Sequence, residues 1–136
     1  MQQPFDRAAE DLGNAIHLEH VNVQVPDQRL ATLFYVAGIG LTRDPYLMVS
    51  DSNMWVNAGR SQFHLPSGRP QVLRGHTAIV IAGRQALLAR LAAVAPKLEG
   101  TAFGYREHND HVEAICPWGN RLRCFRSEEH TSELQS

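Results

Sequence analysis

The sequence predicts an α+β fold made of two βαβββ modules that curve a mixed sheet around one cup-shaped site. Three observations predict it. Two stretches read as copies of each other, Glu19-His20-Val21-Asn22-Val23-Gln24-Val25 and Gly75-His76-Thr77-Ala78-Ile79-Val80-Ile81, each with a histidine near its start. Each stretch runs into an amphipathic helical pattern and then into three short extended segments. Between the copies, residues 66–70 (Pro-Ser-Gly-Arg-Pro) form a linker of turn formers.

Taken in order, residues 17–25 alternate, with His20, Asn22 and Gln24 on one face and Val21, Val23 and Val25 on the other. A period of two marks a half-buried strand. Asp27 sits where an N-cap belongs, and Leu30, Leu33, Phe34 and Ala37 recur at helical spacing until Gly38 or Gly40 ends the element. Extended pieces are expected at 46–49, 53–57 and 61–65, which completes a first module at 17–66. The second module, 73–125, repeats the plan. Leu87, Leu88, Leu91, Val94 and Leu98 supply its helix stripe, with Pro96 interrupting near the end. Strands are expected at 101–106, 111–116 and 121–125, joined by turns at 108–110 and 117–120.

A chain of 136 residues fits one domain, and 43% hydrophobic with 20% charged residues is ordinary for a globular core. The net charge of −1 gives no electrostatic case for nucleic acid or an anionic membrane as a partner. No run of apolar residues is long enough for a membrane span, and residues 1–14 carry Asp6, Glu10 and Asp11 where a signal peptide would be basic and then apolar. A cytoplasmic location is expected. Cys116 and Cys124 make no CxxC pair and read as free thiols. Residues 1–16 read as an N-terminal extension. Residues 126–136 are polar, lack periodicity and resemble the in-frame translation of a sequencing adapter, so they are expected to be a non-native, disordered tail.

The stretches HLEHVNVQVPD (17–27), FYVAGIGL (34–41), QFHLP (62–66), LRGHTAIVI (73–81) and CPWGNRLRCF (116–125) together resemble the vicinal oxygen chelate superfamily. That superfamily includes glyoxalase I, extradiol dioxygenases and bleomycin-binding proteins. The resemblance covers residues 17–125 and implies a glyoxalase-like fold, a small-molecule ligand and a homodimeric or tandem-domain assembly. It also implies a divalent metal (Zn, Ni, Fe, Co, Cu or Mn) drawn from the first, fourth, fifth and eighth strands. Carried over by position, the metal ligands are His20, His64 and His76. The eighth-strand position, usually glutamate, is Arg123, and a guanidinium has only donors and stays protonated.

Two functions follow. With a metal, the protein would be a lyase, isomerase or dioxygenase acting on adjacent substrate oxygens, with no catalytic acid or base identified. Without one, it would be a ligand-binding or sequestering module, or one half of a truncated tandem protein, with Arg123, Gln62 and Asn22 as substrate-binding residues. Each residue also has a plainer reading: the histidines as hydrogen-bonded cup residues, and Arg123 as the partner of an acid such as Glu19 or Glu113. His17, His108 and His111 fall at strand edges or turns, and Trp55, Trp118, Tyr46 and Tyr105 read first as packing residues. No phosphate-loop or nucleophile-elbow pattern is present.

Overall fold

Alternating polar and apolar residues bury one sheet face only against another layer of structure, and both halves of the chain supply a helix for it. The computed structural model describes residue 9 and residues 15–45 and 52–127. The first half forms a four-stranded sheet in the order β1-β4-β3-β2, from β1 (His20–Asn22), β2 (Thr42–Arg43), β3 (Asn53–Ala58) and β4 (Ser61–Pro66). The second forms β5-β8-β7-β6, from β5 (Thr77–Ile81), β6 (Gly104–Glu107), β7 (Val112–Ile115) and β8 (Arg121–Arg126). In each sheet the first strand lies parallel to the last and the other pairs are antiparallel. The βαβββ repeat is therefore as the sequence predicts.

The first helix begins as α1 (Gln28–Ala31) and continues as a π-helical segment, Thr32–Gly38. Asp27 caps it as expected, its Oδ1 accepting the Leu30 N–H at 3.0 Å. The second helix, α2 (Arg84–Val94), runs into a 3₁₀ turn, Ala95–Leu98, where Pro96 has no N–H to offer the α-helical ladder.

Several boundaries differ from the sequence reading. β1 is three residues long, not nine, although the Val23 and Val25 N–H groups still donate to the His64 and Pro66 carbonyls at 2.9 Å. The parallel ladder needs a return donor from residue 66, and Pro66 has none, so regular pairing stops there. β6 starts at Gly104 because Thr101 is held in a turn, its hydroxyl donating to the Leu98 carbonyl at 2.7 Å. β8 extends one residue past Phe125, with Arg126 opposite Ile81. The extended piece expected at 46–49 lies outside the described residues, and Thr42–Arg43 supplies the second strand of that module.

One apolar core joins the modules. Val23, Val25, Val56 and Leu65 from the first sheet and Val112, Ala114, Leu122 and Cys124 from the second meet Phe34, Leu87, Leu91 and Val94 from the helices, all buried. Burying each such leucine or valine side chain contributes about 1.5–3 kcal/mol. Tyr35 on the first helix reaches Cys116 of the second module, and burial, reinforced by Cys116, pushes its hydroxyl well above the ordinary phenol range. Cys116 and Cys124 are both free and buried. Burial raises the Cys124 thiol to about 12 against the opposing pull of Arg90.

Asn120, itself buried, ties the linker to the second module. Its Oδ1 accepts the Leu73 N–H at 2.8 Å and its Nδ2 donates to the Gln71 carbonyl at 2.7 Å. The segment leading into β5, with His76 just before that strand, is thereby held beside the turn that leads into β8. No helix among the described residues is long and apolar enough to cross a membrane.

Candidate functional site

Strand alternation puts the valines of the first sheet on its helix-covered face and leaves His20, Asn22, Trp55, Asn57, Gln62 and His64 on the other. This polar face is heavily hydrogen-bonded. Gln62 Nε2 donates to Asp44 Oδ2 at 2.8 Å and to Asn57 Oδ1 at 2.6 Å. His64 Nδ1 lies 2.9 Å from Asn22 Oδ1, and its Nε2 contacts Asn53 Oδ1. Trp55 stacks on the His64 ring and packs edge-on against His20, whose Nδ1 bonds Glu19 Oε1 at 3.1 Å. Burial, with a smaller contribution from nearby His20, holds His64 below the ordinary histidine range. A neutral ring has one N–H and one lone pair, so one of the two amides must turn its NH₂ toward the ring.

On the matching face of the second sheet, Arg123 lies opposite Glu113 across the β7–β8 ladder. Its Nε is 3.6 Å from Glu113 Oε2, an ion-pair distance too long for a hydrogen bond, and the atom is buried with no other partner. The acidic partner is one of the two that the sequence suggested. Beside this pair, His108 stacks on His111, and His111 packs against Phe125.

Between the outer edges of β1 and β5 lies a cavity of about 1120 Å³. His20, Gln62 and His76 line it, so three of the six residues singled out in the sequence share one cavity wall. His64, Asn22 and Arg123 are not part of that wall. His76 lies just ahead of β5 rather than within it and is exposed. The remaining lining is mostly apolar, with Ile39, Leu41 and Phe63 deep and Leu18, Leu73 and Val80 at the exposed rim.

No family model matches the chain, and no curated protein is similar to it. Solved structures are similar. A fosfomycin resistance protein from Mesorhizobium loti superimposes with a TM-score of 0.63 at 12% identity, over 88% of this chain and 98% of that one. A second, from Listeria monocytogenes, gives 0.61 at 11% identity, over 83% and 92%. A lactoylglutathione lyase from Agrobacterium tumefaciens gives 0.55 at 16% identity, over 82% and 94%. The chain has the vicinal oxygen chelate fold.

Within the vicinal oxygen chelate fold, the side chains of this chain do not suit a resident divalent metal. Both His64 nitrogens face amide groups and Trp55 covers one face of the ring, so lending a lone pair to a cation would break this network. Among the described residues, no three His, Cys, Asp or Glu side chains converge on a point that could hold a metal ion. The eighth-strand position, Arg123, carries donors only and is paired with Glu113, so it has no lone pair to give a cation.

Among the cavity-wall residues that sequence reasoning missed is Arg90 on α2. Its signal was present. Arg90 falls between Leu87, Leu91 and Val94 on the buried stripe of α2, where an unexplained cation is unusual.

Proposed function

We propose that the protein binds a small organic ligand between its two modules without a metal, as a binding or sequestering module. The occupied His64 ring carries this reading. With Asn22 and Asn53 on its two nitrogens and Trp55 on its face, His64 is built as part of a polar wall and not as a ligand with an open coordination site. The cavity of about 1120 Å³ beside that wall has room for a small molecule, and its mix of apolar lining with a few polar groups is what such sites require. The fold likeness to a lactoylglutathione lyase and to fosfomycin resistance proteins also supports a small-molecule ligand. Gln62 and His76 are the polar contacts we assign to the ligand, while Asn22 and Arg123 lie outside the cavity lining.

One observation favours the metal-dependent lyase, isomerase or dioxygenase reading, which is that His20 and His76 line the same cavity. The two readings separate on metal content. Protein purified without chelator is expected to carry far less than one metal per chain, with no change in His20→Ala or His76→Ala. Stoichiometric metal lost on either substitution would overturn the binding reading. In the metal-free protein, a panel of small organic ligands is expected to contain compounds that raise Tm.

A further inference from the structure

The cavity holds a cation and no acid. Arg90 lines it together with His20 and His76, and no aspartate or glutamate is among its lining residues. Nor does any carboxylate among the described residues pair with Arg90. The side chain is held rather than loose: Nε donates to the Gly38 carbonyl and Nη2 to the Ile39 carbonyl, both at 3.1 Å. Those two bonds use the side edge of the guanidinium. The end edge, formed by Nη1 and the second Nη2 hydrogen, has the parallel-donor geometry that receives a carboxylate or similar oxyanion bidentately.

The cavity wall around Arg90 is largely apolar. Ile39 and Leu41 are buried beside it, Ile79 and Ile81 of β5 continue the wall, and Leu18, Leu73 and Val80 are exposed at the rim. From these positions we infer that the cavity takes an amphipathic organic anion, its acid group on Arg90 and its apolar body running outward along β5 toward Leu73 and Leu18. This deepens the binding reading above and rests on it. The charge argument is independent of the metal question: Arg90 is half-buried with no carboxylate beside it, and an anionic ligand would gain charge-assisted hydrogen bonds there. Fixing the guanidinium on backbone carbonyls in advance also lowers the ordering cost of binding.

The experiment compares octanoate with 1-octanol, which share an apolar body and differ in the acid group, on ¹⁵N-labelled full chain. Octanoate is expected to shift the Arg90 Nε–H resonance and octanol to leave it in place. Arg90→Gln is expected to weaken octanoate about tenfold or more, the scale of a lost charged hydrogen bond, while octanol affinity stays within about twofold because its apolar contacts are unchanged. Arg90→Lys, which keeps the charge but not the fork, should fall between. Equal octanoate affinity in wild type and Arg90→Gln would overturn the Arg90 assignment and leave the cavity reading intact. If neither probe binds, both readings fall. Arg90 also anchors the end of the first helix, so if Arg90→Gln unfolds, the wild-type Nε–H response and Arg90→Lys decide: no shift with octanoate and unchanged Lys affinity would overturn the assignment.

Discussion

Trp55 lies flat on His64, with ring centroids 4.1 Å apart and planes 12° from parallel, on neighbouring strands at directly opposed positions. The stack helps desolvate the imidazole, and burial, then His20, lowers the His64 pKa from 6.5. The unfolded chain therefore takes up a proton that the folded chain resists. By linkage, the contribution of His64 to stability is complete above pH 6.5 and is lost as pH falls from there through the lower folded-state value. His64→Gln, which keeps amide-like hydrogen bonding without a titrating ring, is expected to flatten the Tm-versus-pH curve in that window. An unchanged acid limb in the variant would count against this.

Gly40 and Arg90 are coupled through space. Gly40 has φ +95°, and a Cβ placed there would meet Arg90 Nη2 at 2.8 Å and Cζ at 3.0 Å. Gly59, at φ +62°, has open space around the same position. Both Gly→Ala substitutions incur left-handed backbone strain of about 1 kcal/mol, but Gly40→Ala must also displace the guanidinium from the Gly38 and Ile39 carbonyls. Gly40→Ala is expected to cost about 2–3 kcal/mol in denaturant unfolding and Gly59→Ala about 1 kcal/mol. Similar losses at the two sites would show that Arg90 moves aside freely.

Asn120 has few substitutes, because its amide both accepts from Leu73 and donates to Gln71 while its own N–H meets Cys116 Sγ at 3.2 Å. Asn120→Ala leaves two linker backbone groups without partners and is expected to cost about 1–3 kcal/mol. Because the linker positions Leu73 and His76 on the cavity, the variant should also show faster amide exchange at Leu73. Exchange there as slow as in wild type would mean that the linker is held by other contacts.

The duplicated architecture could be read from the chain because local signals agreed with the global plan. The alternating valines of residues 21–25, the Asp27 cap and Pro96 each reappear in the structure in the predicted role. Boundaries were less legible where one atom decides them. The missing N–H of Pro66 halts β1 pairing, an effect visible only once the register opposite β4 is known. The site was legible in part for the same reason. His20 on β1 and Gln62 on β4 are directly paired, and His76 just ahead of β5 lines the same cavity. Which partners would occupy His64 depended on Asn22 and Asn53 being brought from two other strands. No spacing rule encodes that convergence.

Arg123→Glu would place the glutamate implied by the resemblance on the eighth strand, and it separates two explanations for the poor fit to a metal. If Arg123 alone spoils the site, the substitution should create stoichiometric binding of Zn or a similar ion that depends on His20 and His76. If His64 is committed to its amide partners and Trp55, the substitution should not. We expect the second outcome. The new carboxylate would face Glu113 across the ladder, where Arg123 now stands 3.6 Å away, replacing attraction with like-charge repulsion. The Arg123 side chain is 40% exposed, so solvent screens the pair, and the combined loss at neutral pH should be only about 0.5–2 kcal/mol. Glu113→Gln in the same background should recover most of it. Metal titration by calorimetry on Arg123→Glu, alone and with Asn22→Ala and Asn53→Ala to release the His64 nitrogens, completes the test. Tight binding in the single variant would place the whole obstacle at Arg123, whereas binding that appears only when the asparagines are removed would locate it in the His64 network.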